Sequence, residues 1–116
     1  MPSPPRARPL LTRFLTGLTL GRAITGITLI ALIFTTVSAL LMRIVEPETF
    51  NFADALWWAA QTVSTVGYGD DVPQSGGGRA LAFVVMLFGI ALVPAITSMI
   101  VAVFINQQRE ARERGE

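Results

Sequence analysis

The chain has 116 residues, of which 52% are hydrophobic and only 15% are charged. The polar residues are too few to cover the apolar residues in water, which makes a short soluble protein the weaker interpretation. Cysteine and histidine are both absent. The sequence therefore offers no disulfide framework and no catalytic nucleophile with a base beside it, and we do not expect an enzyme.

Two long uncharged segments dominate the chain. No charged residue lies between Arg22 and Arg43. Because crossing the hydrocarbon takes about 20 apolar residues, this run predicts an outer membrane helix over residues 22–44. The run is too long for a signal peptide and is not followed by a small-residue cleavage site. A second uncharged run, residues 80–108, predicts an inner helix over residues 79–106 that spans with tilt or projects beyond the bilayer.

The charges are unevenly distributed, and every cation is an arginine. Those that flank the two spans are Arg6, Arg8, Arg13, Arg22, Arg109, Arg112 and Arg114. The segment between the spans carries an excess of carboxylates, which would concentrate cations at an external mouth. The positive-inside rule predicts a two-span protein of the cell membrane with both termini cytoplasmic. Arg13 and Arg22 are candidate contacts for anionic lipid, and no nucleic-acid partner is expected.

The segment before the first span, residues 1–21, is predicted to be a cytoplasmic tail. Residues 1–9 contain four prolines and two arginines, a composition that does not fold alone. Apolar residues then recur at helical spacing, at Leu10, Leu11, Phe14, Leu15 and Leu18. They fit a short helix at the inner membrane surface or a cytoplasmic extension of the outer helix, and the residues alone leave both open.

The segment between the spans is too short and too polar at its ends to cross the membrane twice. It predicts a pore helix over residues 52–63, capped by Asn51 or Asp54, that enters the membrane and returns on one side. The proline and glycines of residues 70–78 predict an exposed loop. Irregular backbone at membrane depth needs protein or water to cover it, so several subunits are expected.

The run after the pore helix reads Thr65, Val66, Gly67, Tyr68, Gly69 and Asp70. It resembles the selectivity filter of potassium channels, in which carbonyl oxygens from four loops replace the hydration shell of the ion. Carbonyls that point to one axis require an alternating backbone, and Gly67 and Gly69 adopt left-handed angles without a Cβ clash. The Val66 and Tyr68 side chains are then expected to point away from that axis.

The filter oxygens are expected to bind K+ directly. Its ligands would be the carbonyls of Thr65, Val66, Gly67 and Tyr68, with the Thr65 hydroxyl at the inner end. Oxygen suits a hard cation, and the negative C-terminal end of the pore helix would help to hold it. Each subunit gives one oxygen per ring, so a homotetramer is expected. No cofactor is expected, since K+ is the permeant ion.

From about Arg22 to Val103 the chain resembles the small bacterial two-transmembrane potassium channels, the family typified by the proton-activated channel. The resemblance is densest over residues 57–70 and 84–90. It implies an all-α membrane protein whose two transmembrane helices flank a re-entrant pore helix and filter loop. That pore domain, residues 22–106, would assemble as a homotetramer with an intracellular gate. A less selective cation channel and a non-conducting membrane subunit are the alternatives.

The resemblance also implies residues that support the filter. Trp57, Trp58 and Tyr68 would form an aromatic cuff, with the Trp58 indole nitrogen meeting the Tyr68 hydroxyl, although paired tryptophans are also common interface anchors. Thr62 would lie beside the filter's base. Gln61 replaces the glutamate that shares a proton with the aspartate matching Asp70. An amide can still donate to the Asp70 carboxylate but is not a second ionisable group, so we predict altered slow inactivation.

On the inner helix, Gly89 matches the family's gating-hinge glycine and Pro94 predicts a kink. Both residue types are common in membrane helices, and Gly89 also fits a close-packing role. The residues expected to line the cavity and the hydrophobic gate are Thr97, Ser98, Val101 and Ile105. Packing on the outer helix is the alternative for Val101 and Ile105.

The gating stimulus is not specified. The arginines flank the spans and form no voltage-sensing helix. Residues 107–116 are predicted to be a cytoplasmic tail, whose charges form either a sensor network or a solvated helix end. No histidine titrates there near neutral pH.

Overall fold

A computed structural model describes the backbone of residues 10–115 and the side chains of residues 19–115. Within that part of the chain the protein forms three helices: α1 Leu10–Val45, α2 Phe52–Val63 and α3 Gly76–Glu113. Helix α2 has the range expected for the pore helix. The other two helices are longer than the ranges expected for the outer and inner helices.

Helix α1 begins at Leu10 rather than at residue 22. The segment between Pro9 and Pro47 contains no proline, so helical hydrogen bonding continues without interruption. The helix ends at Val45. The next residue, Glu46, precedes Pro47, and a residue before proline is disfavoured in the helical region. The continuous backbone from Leu10 to Val45 is in accord with an extension of the outer helix, and the position of its first turns relative to the membrane stays a prediction.

Helix α2 begins at a reciprocal cap. The Asn51 side-chain oxygen accepts a hydrogen bond from the Asp54 backbone N at 2.9 Å, and Asn51 Nδ2 donates to Asp54 Oδ2 at 2.6 Å. This arrangement satisfies a backbone donor that would otherwise lack a helical partner. Of the two candidates, Asn51 is therefore the N-cap.

Helix α3 includes three glycines that the sequence assigned to an exposed loop. The Ser75 hydroxyl accepts a hydrogen bond from Gly78 N at 2.9 Å and caps the helix, so residues 76–78 form its first turn. The expectation of a loop there is wrong, because glycine permits a helix once a cap fixes its start. At the other end, Arg114 pairs with Glu110 at 3.9 Å, and the helix continues beyond residue 106 to Glu113.

The core lies where all three helices meet, away from the chain's termini. Its buried side chains are Ala39, Met42, Phe50, Ala55, Trp58, Ala59, Val63, Ala82 and Val85. Many of the other apolar side chains described on α1 and α3 are exposed. Two described helical segments, Thr19–Val45 and Gly76–Glu113, are long and apolar enough to cross a membrane, with mean hydropathy of 2.2 and 2.5 over an 18-residue stretch of each.

Glu46 joins the end of α1 to the start of α3. Its Oε2 accepts a hydrogen bond from Gln74 N at 3.0 Å, and its Oε1 accepts from Ser75 N and Ser75 Oγ, both at 2.6 Å. Burial opposes ionisation of Glu46, but these hydrogen bonds outweigh it and lower the pKa of the carboxyl. The ionised carboxylate also lies at the N-terminus of α3, where negative charge is favourable.

This contact predicts that Gly78→Ala destabilises the protein. A Cβ at position 78 would lie 2.8 Å from Glu46 Cδ and 3.0 Å from Pro73 Cβ. We expect a loss of about 1–3 kcal/mol per chain, the usual cost of overpacking, measured as a lower Tm in detergent. Gly76→Ala is the matched control, since no atom lies within 4 Å of its Cβ position. An equal change in Tm for both variants would contradict the role of Glu46.

Candidate functional site

The loop after α2 has a regular alternation of backbone handedness. φ is +64° at Thr65, +60° at Gly67 and +77° at Gly69, and no intervening residue has a positive φ. The prediction of left-handed angles at the two glycines is confirmed. The alternation turns successive carbonyl oxygens toward one side of the loop.

Thr65 was not expected to share this conformation. A β-branched residue at positive φ is unusual, and such strain costs about 1–3 kcal/mol. The backbone N of Thr65 donates to the Thr62 carbonyl at 3.1 Å, which holds the residue against the end of α2. Positive φ recurs at every second residue of this loop. Extending that alternation back from Gly67 would have predicted a positive φ at Thr65.

Gln61 supports the filter loop through three hydrogen bonds. This buried side chain accepts a hydrogen bond from Gly69 N through Oε1 at 3.3 Å and donates from Nε2 to Asp70 Oδ1 at 2.8 Å. Its backbone carbonyl accepts from Gly67 N at 3.0 Å. The sequence predicted the Asp70 contact but not the two contacts with glycine backbone.

Asp70 receives a second side-chain donor, Trp57 Nε1, at 2.8 Å from Oδ2. Hydrogen bonds from Gln61 and then Trp57 lower the pKa of the Asp70 carboxyl. Burial and the negative charges of Asp70 and Asp54 raise the pKa of Asp71. The mouth of the loop therefore carries one firmly ionised carboxylate and a neighbour that is easier to protonate.

The aromatic side chains make two separate contacts within one chain. Tyr68 stacks on Trp57, with ring centroids 5.5 Å apart and planes 10° from parallel. Trp58 is buried and packs on Phe50, with centroids 6.1 Å apart. The hydrogen bond from the Trp58 indole nitrogen to the Tyr68 hydroxyl stays a prediction.

Trp57→Phe should lower stability near neutral pH and make it depend less on acid. Because the Asp70 pKa is lowered on folding, its ionised form stabilises the fold above the ordinary value of 3.8, and that stability is lost as pH falls through the lowered pKa. Removing the Trp57 donor moves the folded pKa back toward the ordinary value, so this contribution is smaller and less of it is lost in acid. Tm measured against pH in detergent tests this. Trp58→Phe is the control, which should lower Tm without changing how much Tm falls in acid.

Gly89 and Pro94 occupy different environments on α3. Gly89 is buried, and a Cβ there would lie 3.0 Å from the Val63 carbonyl oxygen. Pro94 is exposed, and the helix continues through it. The structure therefore places the glycine against the end of α2 and leaves the proline exposed within one chain.

The predicted cavity and gate residues lie on an exposed face of α3. Thr97 Oγ1 donates to Val93 O at 3.0 Å and Ser98 Oγ donates to Pro94 O at 2.7 Å, so both hydroxyls bond to their own helix. Val101 and Ile105 are 49% and 48% exposed. Packing on the outer helix stays open as the alternative for these two residues.

Two membrane-spanning helices that flank a short helix and a loop of alternating handedness define the pore-forming unit of an ion channel. The chain belongs to the ion channel family, whose model matches residues 24–106. It is a multi-pass, all-α membrane protein and not an enzyme.

Two solved structures and two curated relatives support this assignment. A voltage-gated K+ channel pore domain, in a closed state in lipid membranes, is 44% identical, with a TM-score of 0.60 over 70% of this chain and 94% of that chain. A pore module in a tetragonal crystal form is 41% identical, with a TM-score of 0.64 over 76% and 97% of the two chains.

The curated relatives are larger proteins. A cyclic nucleotide-gated potassium channel of Rhizobium etli is 41% identical over 68 residues, which are 58% of this chain and 19% of that protein. A calcium-gated potassium channel of Thermoplasma volcanium is 41% identical over 69 residues, which are 60% and 20% of the two proteins. The chain thus spans about a fifth of the length of these relatives.

Proposed function

We propose that this chain is one subunit of a potassium-selective channel, which conducts K+ passively through a homotetrameric pore. The observation that carries the proposal is the alternation of φ at Thr65, Gly67 and Gly69, in a loop with an intact potassium-filter sequence. The potassium channels among the relatives and solved structures are in accord with it.

K+ is bound by the carbonyls of Thr65, Val66, Gly67 and Tyr68, and by the Thr65 hydroxyl at the inner end. Neutral carbonyl dipoles hold a dehydrated cation without trapping it, which conduction requires. The C-terminal end of α2 adds a negative potential below them. Conduction therefore needs no cofactor.

Four copies surround the filter. In one chain Val66 is 57% exposed and Tyr68 is 69% exposed, beside irregular backbone that must be covered at membrane depth. Neighbouring copies supply that cover, and each adds one oxygen to every ring. Crosslinking in detergent should give a ladder that ends at the tetramer.

The gate lies at the other end of α3. Val101 and Ile105 expose apolar side chains there, and four copies of this face form a constriction that closes by dewetting. Bending of α3 opens it. Alanine at both positions should therefore raise the open probability without changing the reversal potential.

Both termini face the cytoplasm, because arginines flank the spans on that side. The Arg22 side chain is exposed at the start of the first span, where it attracts anionic lipid headgroups. Arg13 contributes as well, although its side chain lies outside the described residues. Binding to vesicles of anionic lipid should fall when Arg22 is replaced by glutamine.

Reversal potentials of the purified protein in liposomes, under opposed K+ and Na+ gradients, test the function. A potential that follows the K+ equilibrium value supports the proposal. An intermediate value would indicate a less selective cation channel, and no current would indicate a non-conducting subunit. Either of these results would overturn the proposal.

A further inference from the structure

Gly89 brings the backbone of α3 against the end of α2, the helix that precedes the filter. A Cβ at this position would lie 3.0 Å from Val63 O, 3.3 Å from Thr62 O and 3.3 Å from Val63 Cα. All three atoms are backbone, so they cannot move aside as the end of a flexible side chain would. Alanine would fit here only if α3 and the last turn of α2 moved apart.

One of the two carbonyls that Gly89 approaches, that of Thr62, holds the base of the filter. The Thr62 carbonyl accepts the hydrogen bond from Thr65 N at 3.1 Å, and Thr65 is the filter residue with a φ of +64°. A strained residue persists only while its surroundings fix it. A displacement of the Thr62 carbonyl would therefore disturb Thr65, the innermost filter residue, first.

This close approach is not a general property of glycines in the membrane helices. Gly26, in the first span, has no atom within 4 Å of its Cβ position. Pro94, five residues after Gly89, is exposed within one chain. Proline removes a hydrogen bond and weakens the helix locally. The packed glycine and the exposed proline therefore suit different tasks.

We propose that Gly89 is a positioning residue for the filter rather than a hinge, and that α3 bends at Pro94. Gly89 allows α3 to support the last turn of α2, which keeps Thr65 in its strained conformation. The segment of α3 beyond this contact can then move without displacing the filter. This inference rests on the proposed function, since it assigns Gly89 to the K+-binding loop.

The test compares Gly89→Ala with Pro94→Ala and with Gly26→Ala. Two quantities report on the filter: the K+ over Na+ permeability ratio in liposomes, and the rise in tetramer Tm when K+ replaces Na+. The open probability is the third measurement and reports on the gate. For Gly89→Ala we expect the permeability ratio to fall by about tenfold or more, as for a loss of about 1.4 kcal/mol in ion discrimination. The K+-specific rise in Tm should shrink with it. Pro94→Ala should keep both quantities and change the open probability, and Gly26→Ala should change none of them.

A merely structural role for Gly89 would lower Tm equally in K+ and Na+, and a hinge role would change only the open probability. Either result overturns the inference. If Gly89→Ala fails to assemble, tandem-linked dimers that carry the change in two of the four copies provide the same readouts. A parent protein without K+ selectivity would overturn the proposed function, whereas a selective parent with a selective Gly89→Ala variant would overturn only the role of Gly89.

Discussion

Replacing Gly67 with alanine is expected to abolish K+-selective conduction while the three helices remain folded. Gly67 has a φ of +60°, and no atom lies within 4 Å of its Cβ position in the chain. The obstacle is therefore the backbone conformation, which costs an L-residue about 1–2 kcal/mol. Four copies share the pore, so the cost recurs around each oxygen ring. A relaxed φ would rotate the flanking carbonyls away from the ion.

The measurement is the reversal potential in liposomes, with helix content followed by circular dichroism. Gly115→Ala is the matched control, because Gly115 has a φ of +75° and equally open surroundings but lies beyond the end of α3. It introduces similar local strain away from the pore and should leave conduction unchanged. K+ selectivity that survives Gly67→Ala would show that the alternating backbone is not required.

The features predicted correctly from the sequence are local ones. The absence of charge between Arg22 and Arg43 indicates a span because hydrocarbon length sets how many apolar residues are needed. Asn51 and Asp54 were recognised as cap candidates, since a cap and its helix are a few residues apart. Left-handed angles at Gly67 and Gly69 follow from the missing Cβ. Each of these signals lies within one element.

The features that were missed depend on contacts between elements. Glu46 binds the backbone of Gln74 and Ser75, and nothing in the spacing of these residues indicates that they meet. Residues Trp57 and Trp58 are adjacent in sequence, so only packing decides that the former bonds to Asp70. The one local exception is the start of α3, where composition predicts a loop at the glycines but the cap at Ser75 makes residues 76–78 helical.

The roles of Gly89 and Pro94 illustrate the same limit. Both residues weaken a helix, and from the sequence they were assigned jointly to a hinge. Distance separates them, because Gly89 approaches the carbonyls of Thr62 and Val63 while Pro94 stays exposed. A helix can bend only where its neighbours leave it free, and the residue type alone does not indicate where that is.

Gln61→Glu is expected to make slow inactivation depend on pH near neutrality. In the parent, Gln61 Nε2 donates to Asp70 Oδ1 at 2.8 Å, and the lowered pKa of Asp70 keeps that carboxylate ionised well below neutral pH. Inactivation of the parent should therefore change little between about pH 5 and about pH 8. A glutamate would place a second carboxyl opposite Asp70, and two such groups at this distance share a proton.

The direction of the effect follows from that shared proton. In the Gln61→Glu variant, repulsion between the new carboxylate and Asp70 raises one of their two pKa values. The shared proton therefore stabilises the filter loop at low pH, and this stabilisation is lost as pH rises through the raised pKa. The current of the variant should therefore decay several-fold faster at about pH 8 than at about pH 5. Gln74→Glu is the matched control, because among the described residues the side-chain amide of Gln74 donates to the Val72 carbonyl at 3.0 Å and not to Asp70. If the variant decays at the same rate across this range, as Gln74→Glu should, the contact between residues 61 and 70 does not govern inactivation.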